Sequence, residues 1–407
     1  MKKGLLFAVG LLFFFALALY APREASAVPA FARQTGMACN ACHFQHFPTL
    51  NAFGRMFKSG GYTQAGGQNL VEGDLLSIPS TLNMSLITKV RYQKRNGDSQ
   101  TSELNKGQVQ FPDEAALLIG GRGGEHLGFL LEVSLVDGDS RFTNFKAPIV
   151  FEAKETKLSA IPFTTKGLGA SYGFELLATG ALRNSRPLEH RTETSAQQYL
   201  GTDTDATGIA LVASNPIGFV NYSAWSNTHG ANATGPYLNY FRAAATPTVA
   251  GWDLGAGVQV WNGTSKRGTG AAPTREKADA WAVDAQAQGS AGEFPLGVYA
   301  SYARAAKTST TGVANIFNSN TAHAKSAWAL TGELGVIPNR LSVSAGYRAG
   351  RNGSATLQHE NATTVGLAYL AIQNLELQLN HSWYTGDAKP SPASGNMLTT
   401  LMLFAAF

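Results

Sequence analysis

From about position 80 to its end the chain alternates between apolar and polar residues with a period of two. Leu82, Met84, Leu86, Val90 and Tyr92 alternate with Asn83, Ser85, Lys89 and Arg91. Leu127, Phe129, Leu131, Val133 and Leu135 do so with Gly128, Glu132 and Ser134, and Trp252, Leu254, Ala256, Val258 and Val260 with Asp253, Gly255, Gly257 and Gln259. The pattern returns from Trp281 to Gln288, from Leu341 to Arg348, from Leu375 to Asn380 and from Leu401 to Phe407. Each stretch predicts a β-strand with one apolar and one polar face.

Such strands suit a soluble sandwich, with polar faces outside, or a membrane barrel, with apolar faces outside. Four features favour the barrel. The repeats run to roughly ten residues, the length of a tilted membrane-crossing strand. Tyr92, Trp252, Trp261, Trp281, Tyr347 and Trp383 stand near strand ends, as interfacial girdles do. Polar turn clusters such as Arg95-Asn96-Gly97-Asp98 and Trp261-Asn262-Gly263-Thr264 separate the strands. The chain stops inside an alternating stretch at Phe407, an edge that a soluble protein rarely leaves bare. The expectation is a mainly β chain, an antiparallel outer-membrane barrel of about 16 strands over residues 77–407. Residues 141–200 are less regular, with a charged run at Arg183, Arg186, Glu189, His190 and Arg191. Two readings stay open for them, a helical insertion in a loop or the lumen and an ordinary outer loop. Residues 99–107, 266–277 and 307–321 read as polar loops, and Gly120-Gly121-Arg122-Gly123-Gly124 as a hairpin turn.

The N-terminus has the form of a secretory signal: Lys2 and Lys3, an apolar run from Leu5 to Tyr20, then Ala25-Ser26-Ala27. Residues 1–27 are expected to be removed, leaving Val28 first. That takes the formal charge from +5 to +3. So weak a balance argues against a nucleic-acid partner.

Residues 28–76 differ from the rest. They hold Cys39-Asn40-Ala41-Cys42-His43, a Cys-x-x-Cys-His motif that uses the only 2 cysteines of the chain. This is the attachment signature of a c-type haem. The two thiols add to the haem vinyls, and the adjacent imidazole reaches the iron as the proximal ligand. A zinc site would need a second pair of ligands, and no further cysteine exists. A redox dithiol would sit at a strand-to-helix turn of a βαβ unit, which the pattern does not offer. One covalent haem c is expected, on Cys39, Cys42 and His43.

The sixth iron ligand is not fixed. Met56 is the first candidate, on a short helix expected from Pro48 to Lys58. Met37 is second, His46 third and His190 a distant fourth. His46 shares a helical face with His43, so a polar contact to the haem edge or a backbone carbonyl suits it better. Arg33 and Arg55 are expected to meet haem propionates or carboxylates of the luminal wall. A segment this short cannot readily bury a haem alone, so it is expected to lean on the barrel and plug it.

The runs Val28 to Gly36, Phe47-Pro48, Phe53-Gly54-Arg55, Phe57-Lys58 and Gly60-Gly61-Tyr62, with the haem motif between them, resemble the fused outer-membrane cytochrome–porins. Ala206 to Pro216 and Phe219-Val220-Asn221-Tyr222 resemble that family's barrel. The best-known members are proposed iron oxidases. The resemblance implies a small α-helical monohaem domain plugging a barrel of about sixteen strands, and electron transfer across the outer membrane. The partners it implies are extracellular Fe(II), a periplasmic carrier (a cytochrome or cupredoxin) and the lipid bilayer. An Fe(II):cytochrome oxidoreductase is one reading. A porin with a structural or gating haem plug, and export of electrons to outside acceptors, are the others.

Overall fold

In the computed structural model the described residues are 29–407, except 75, 137, 139–140, 184–185, 231–236 and 268–273. The expected signal segment 1–27 lies outside them. The described residues begin with three helices: α1 (Ala30–Thr35), α2 (Cys39–Cys42) and α3 (Ala52–Ser59). A two-stranded hairpin follows, β1 (Leu70–Gly73) and β2 (Leu76–Pro79).

The remaining strands close on themselves. They are β3 (Met84–Arg95), β4 (Gln108–Arg122), β5 (Gly128–Ser134), β6 (Phe142–Lys146), β7 (Ile149–Ala153), β8 (Thr156–Thr165), β9 (Ala206–Asn215), β10 (Gly218–Ser226) and β11 (Leu238–Ala245). After them come β12 (Thr248–Val249), β13 (Trp252–Arg267), β14 (Thr274–Ala291), β15 (Phe294–Ala305), β16 (Lys325–Ile337), β17 (Leu341–Arg351), β18 (His359–Ile372), β19 (Leu375–Thr385) and β20 (Met397–Ala406). Every strand pairs antiparallel with its neighbour, and β20 closes on β3 from Leu398↔Arg95 to Ala406↔Ile87. With β6 and β7, and β11 and β12, taken as interrupted staves, the described residues form a barrel of 16 strands.

The faces have the membrane order. On β16, Trp328 and Leu330 point outward and are exposed, while Thr331 and Glu333 point inward and are buried. On β19, Leu379 is exposed and Glu376, Gln378, Asn380 and Ser382 are buried. A soluble sandwich would reverse this; an apolar belt around a polar interior belongs in lipid.

The two ends of the barrel differ. The connections 154–155, 216–217, 250–251, 292–293, 338–340 and 373–374 are tight turns at one end. At the other end 96–107, 306–324 and 386–396 are long. The expected loops at 99–107 and 307–321 belong to these, the first with a short helix α4 (Glu103–Lys106). Of the expected loop at 266–277, residues 268–273 lie outside the described residues, and 266–267 and 274–277 are instead strand, with Lys266 opposite Arg275. Polar residues on both faces are no bar to pairing where a ribbon stands in water. Gly120 and Gly121 also remain paired to β5, and the turn falls at 123–127.

Residues 166–205, between β8 and β9, fold into the lumen. They carry helices α5 (Arg191–Thr194) and α6 (Ala196–Leu200), which pack on β15 to β18. Tyr172, Phe174, Leu177 and Leu200 join wall residues such as Phe163, Phe219, Tyr240 and Trp261 in one buried core. This decides the open reading of 141–200 for the lumen only from residue 166 on; most of 142–165 is barrel wall. Arg242 of β11 fixes the insert, meeting Glu175 at 3.0 Å and Asp284 of β14 at 2.8 Å, with all three side chains buried. A buried cation is tolerated only when so matched.

Candidate functional site at the short-turn mouth

The N-terminal segment contacts the inner wall from the short-turn end. Helix α1 is anchored by Gln34, whose side chain donates to the carbonyls of Tyr62 and Gln64 and accepts from the backbone N–H of Arg122 on β4. Phe31 stacks on Tyr62 at 4.9 Å and meets Phe57 edge-on. Gly128 of β5 lies so close to Gly61 that a β-carbon there would sit 1.7 Å from its carbonyl oxygen.

Cys39 and Cys42 bound the single turn of α2, which the His43 N–H closes onto the Cys39 carbonyl at 3.0 Å. That turn brings two free thiols and an imidazole together. Asn51 holds the turn to α3. Its side chain caps α3 by accepting from Gly54 N–H at 2.9 Å and donates to the Ala41 carbonyl at 3.0 Å. Helix α3 therefore starts at Ala52, not at Pro48: Asn51 supplies the cap, and residues 44–49 form a loop closed by the His43–Leu50 bridge. Gly54 packs on the Cys42 carbonyl, where a β-carbon would stand 2.1 Å from the oxygen. The Cys39 N–H donates to Gln373 at the β18–β19 turn.

The thiols are not poised for redox exchange. Burial pushes both up from the ordinary value, whereas a reactive dithiol needs a depressed one. Burial also holds the His43 imidazole down to about 4, against the Thr49 and Pro48 backbone. It is thus neutral near pH 7, the form that binds a metal. Among the described residues no cluster of three His, Cys, Asp or Glu is arranged for a metal ion. These donors suit a macrocycle that brings its own nitrogens: two free thiols, one neutral imidazole, and His43 Nδ1 buried without a hydrogen-bond partner.

The other candidates spread apart. Met56 is 48% exposed, on the face of α3 away from Gly54, beside a cleft lined by Gly60, Thr63, Arg122 and Lys157. Met37 is half-buried beside the motif. Arg33 donates to the Met84 carbonyl. Arg55 is buried, bonded to Gln288 of β14 at 2.9 Å and 3.6 Å from Asp253 of β13. His46 is buried between Glu333 and Glu376, with Nδ1 also 2.6 Å from the Phe47 carbonyl. His190 enters the lumen with its insert, both ring nitrogens hydrogen-bonded, to Ser382 at 2.6 Å and Thr400 at 2.7 Å. Lys58 is half-buried, and desolvation lowers its ammonium to about 8 against the opposing pull of Glu175 in the insert. Lys146 of β6 links the two lumen fillers: its ammonium donates to the Tyr172 carbonyl at 3.1 Å and lies over the Tyr62 ring at 5.7 Å.

Sequence reasoning missed Gln34, Asp253, Glu333 and Glu376. Gln34 falls in a motif-rich segment, but the wall residues read only as polar positions in alternating strands.

No family model matches the chain, and neither does any curated protein. Solved structures do. The outer membrane channel DcaP of Acinetobacter baumannii is 12% identical, with a TM-score of 0.50 over 80% of this chain and 97% of that one. Outer-membrane expressed OmpT of Vibrio cholerae is 14% identical, with a TM-score of 0.46 over 83% of this chain and 100% of that one. The fold is that of an outer-membrane barrel. In such barrels the short turns face the periplasm and the long loops face outward. By that rule Cys39, Cys42 and His43 stand at the periplasmic mouth of this outer-membrane barrel, and the 166–205 insert enters from outside.

Proposed function

We propose that the chain is a monohaem c-type cytochrome–porin that moves electrons across the outer membrane, from extracellular Fe(II) to a periplasmic cytochrome or cupredoxin. One observation carries the reading: the Cys39–Cys42–His43 turn is lodged in the short-turn mouth of a barrel whose lumen is packed beyond it. The resemblance of residues 28–62 to the cytochrome–porins supports it.

A covalent haem, when bound, supplies the one-electron chemistry. Cys39 and Cys42 hold it by thioethers and His43 offers the proximal nitrogen. Gly54 and Asn51 keep that turn on α3, while Gln34, Arg55 and His46 seat the segment against the wall. With His46 and His190 engaged elsewhere, Met56 or Met37 would be the side chain left to reach the iron opposite His43, or that position would stay open. A thioether raises the potential relative to two imidazoles, which suits acceptance of electrons from Fe(II).

Haem staining of denatured protein tests attachment. The wild type retains stain, and the Cys39→Ser, Cys42→Ser double variant loses it; an unstained wild type sinks the reading. Mixing the oxidised protein with Fe(II) tests the donor, and a haem that stays oxidised removes the iron-oxidase step. Export of electrons uses the same residues and calls for a low potential in place of a high one. A porin with a structural or gating plug predicts solute conductance, which the packed insert disfavours.

A further inference from the structure

Two wall carboxylates converge on one side chain of the helical segment. His46 Nε2 lies 2.9 Å from Glu333 Oε1 of β16, and Nδ1 lies 3.2 Å from Glu376 Oε1 of β19. All three side chains are shut off from solvent. Gln378 donates to Glu376 at 2.5 Å, whereas among the described residues Glu333 has no side-chain partner besides His46. Two carboxyl groups thus face one imidazole, so the acidic side chains of the cluster outnumber the basic one.

The neighbouring cations do not cancel the excess. Arg55 is committed to Gln288 and Asp253. Lys89 stands level with Glu376 across Phe404 in the strand register, but it pairs with Glu114 at 2.7 Å. Tyr299, which faces Glu333, takes its bond from Gln288. Buried, imperfectly paired charge is costly, so its retention beside the haem motif points to a use. His46 belongs to the 44–49 loop that starts at His43, so its two wall partners anchor the chain three residues from that imidazole.

We propose that Glu333 and Glu376 are positioning residues for the axial ligand: through His46 they fix the loop behind His43 and set a buried negative charge on its side of the haem. The proposal rests on the covalent-haem reading above. Negative charge in a poorly screened site favours the ferric over the ferrous state and so lowers the potential. The barrel wall, and not the helical segment alone, then sets the potential.

The test is a spectroelectrochemical titration of the full-length, haem-loaded protein in detergent. Glu376→Gln and Glu333→Gln keep the shape and remove the charge; made separately, either one reads the effect if the other does not insert. Each is expected to shift the reduction equilibrium about tenfold toward the ferrous form, or about 59 mV upward for one electron. Glu103→Gln, on the exposed helix α4 at the opposite end of the barrel, leaves it in place. An unchanged potential in a Gln variant that inserts and carries haem overturns the proposal, even if its melting point falls. A wild type without covalent haem overturns this proposal and the functional reading together.

Discussion

Phe47 of the helical segment lies flat on Phe404 of the last strand, ring centroids 4.9 Å apart and planes 1° from parallel. The pair ties the loop behind His43 to the stave that closes the barrel. Phe47 is half-buried, so Phe47→Ala forfeits part of the burial and the ring contact, about 2 kcal/mol together. The expected result is faster proteolysis of the first sixty or so residues with an unchanged barrel, read by protease digestion of the detergent-folded protein.

Gly54→Ala acts on the motif itself. Its new β-carbon would meet the Cys42 carbonyl oxygen, which is backbone and cannot swing aside. Helix α3 must back away from α2, at a cost of roughly 2–4 kcal/mol. Covalent haem yield should fall sharply although both cysteines and His43 remain. A normal yield would show that α3 need not touch the haem turn.

Arg242→Met removes the cation that holds Glu175 of the insert to Asp284 of the wall. Two buried carboxylates lose their partner, a loss of about 3–5 kcal/mol. The insert should loosen and admit ions. Planar-bilayer recordings are expected to show little conductance through the wild type and a clear rise in the variant. High conductance in the wild type would favour the gating-porin reading.

Acid should release the insert late. Burial alone would raise the Glu189 carboxyl, but Arg191, Lys89, Arg91 and Arg186 overcome it and hold it at about 2. Its folded value lies below the ordinary 4.5, so its contribution is present above about pH 4.5 and is lost as the pH falls through 2. The amount is about 3 kcal/mol. Protease cleavage within the insert, followed against pH, should climb over that window, and Glu189→Gln should abolish the climb.

Met56→Ala and Met37→Ala separate the two thioether candidates. Loss of the true ligand lowers the haem potential and changes its absorbance; loss of the other changes neither. Two silent substitutions would leave the iron open or bound by another group.

Much of this molecule is legible along the chain. Period-two alternation exposes the staves, and Trp328, Leu330 and Leu379 lie on the lipid side as the inverted pattern requires. The haem motif also reads directly, because its chemistry sits within five consecutive residues. The expected helix from Pro48 failed at its start, because the Asn51 cap at the near end of α3 outweighs the favourable first-turn proline. His46 was a weak ligand candidate, and its partners lie hundreds of residues away on two staves. Glu333 and Glu376 look like any inward polar position, since register brings them to His46 and local sequence does not. The insert was ambiguous for a related reason: charged residues such as Arg186 and Glu189 suit an exterior loop equally well until the wall supplies their counter-charges.

The closure of β20 on β3 also imposes an order in time. Phe404 comes at the far end of the chain from Phe47, and its stave is the last to be made. Until that stave pairs with β3 the helical segment has no ring to rest on, so the final stitch of the barrel is also the latch that seats it.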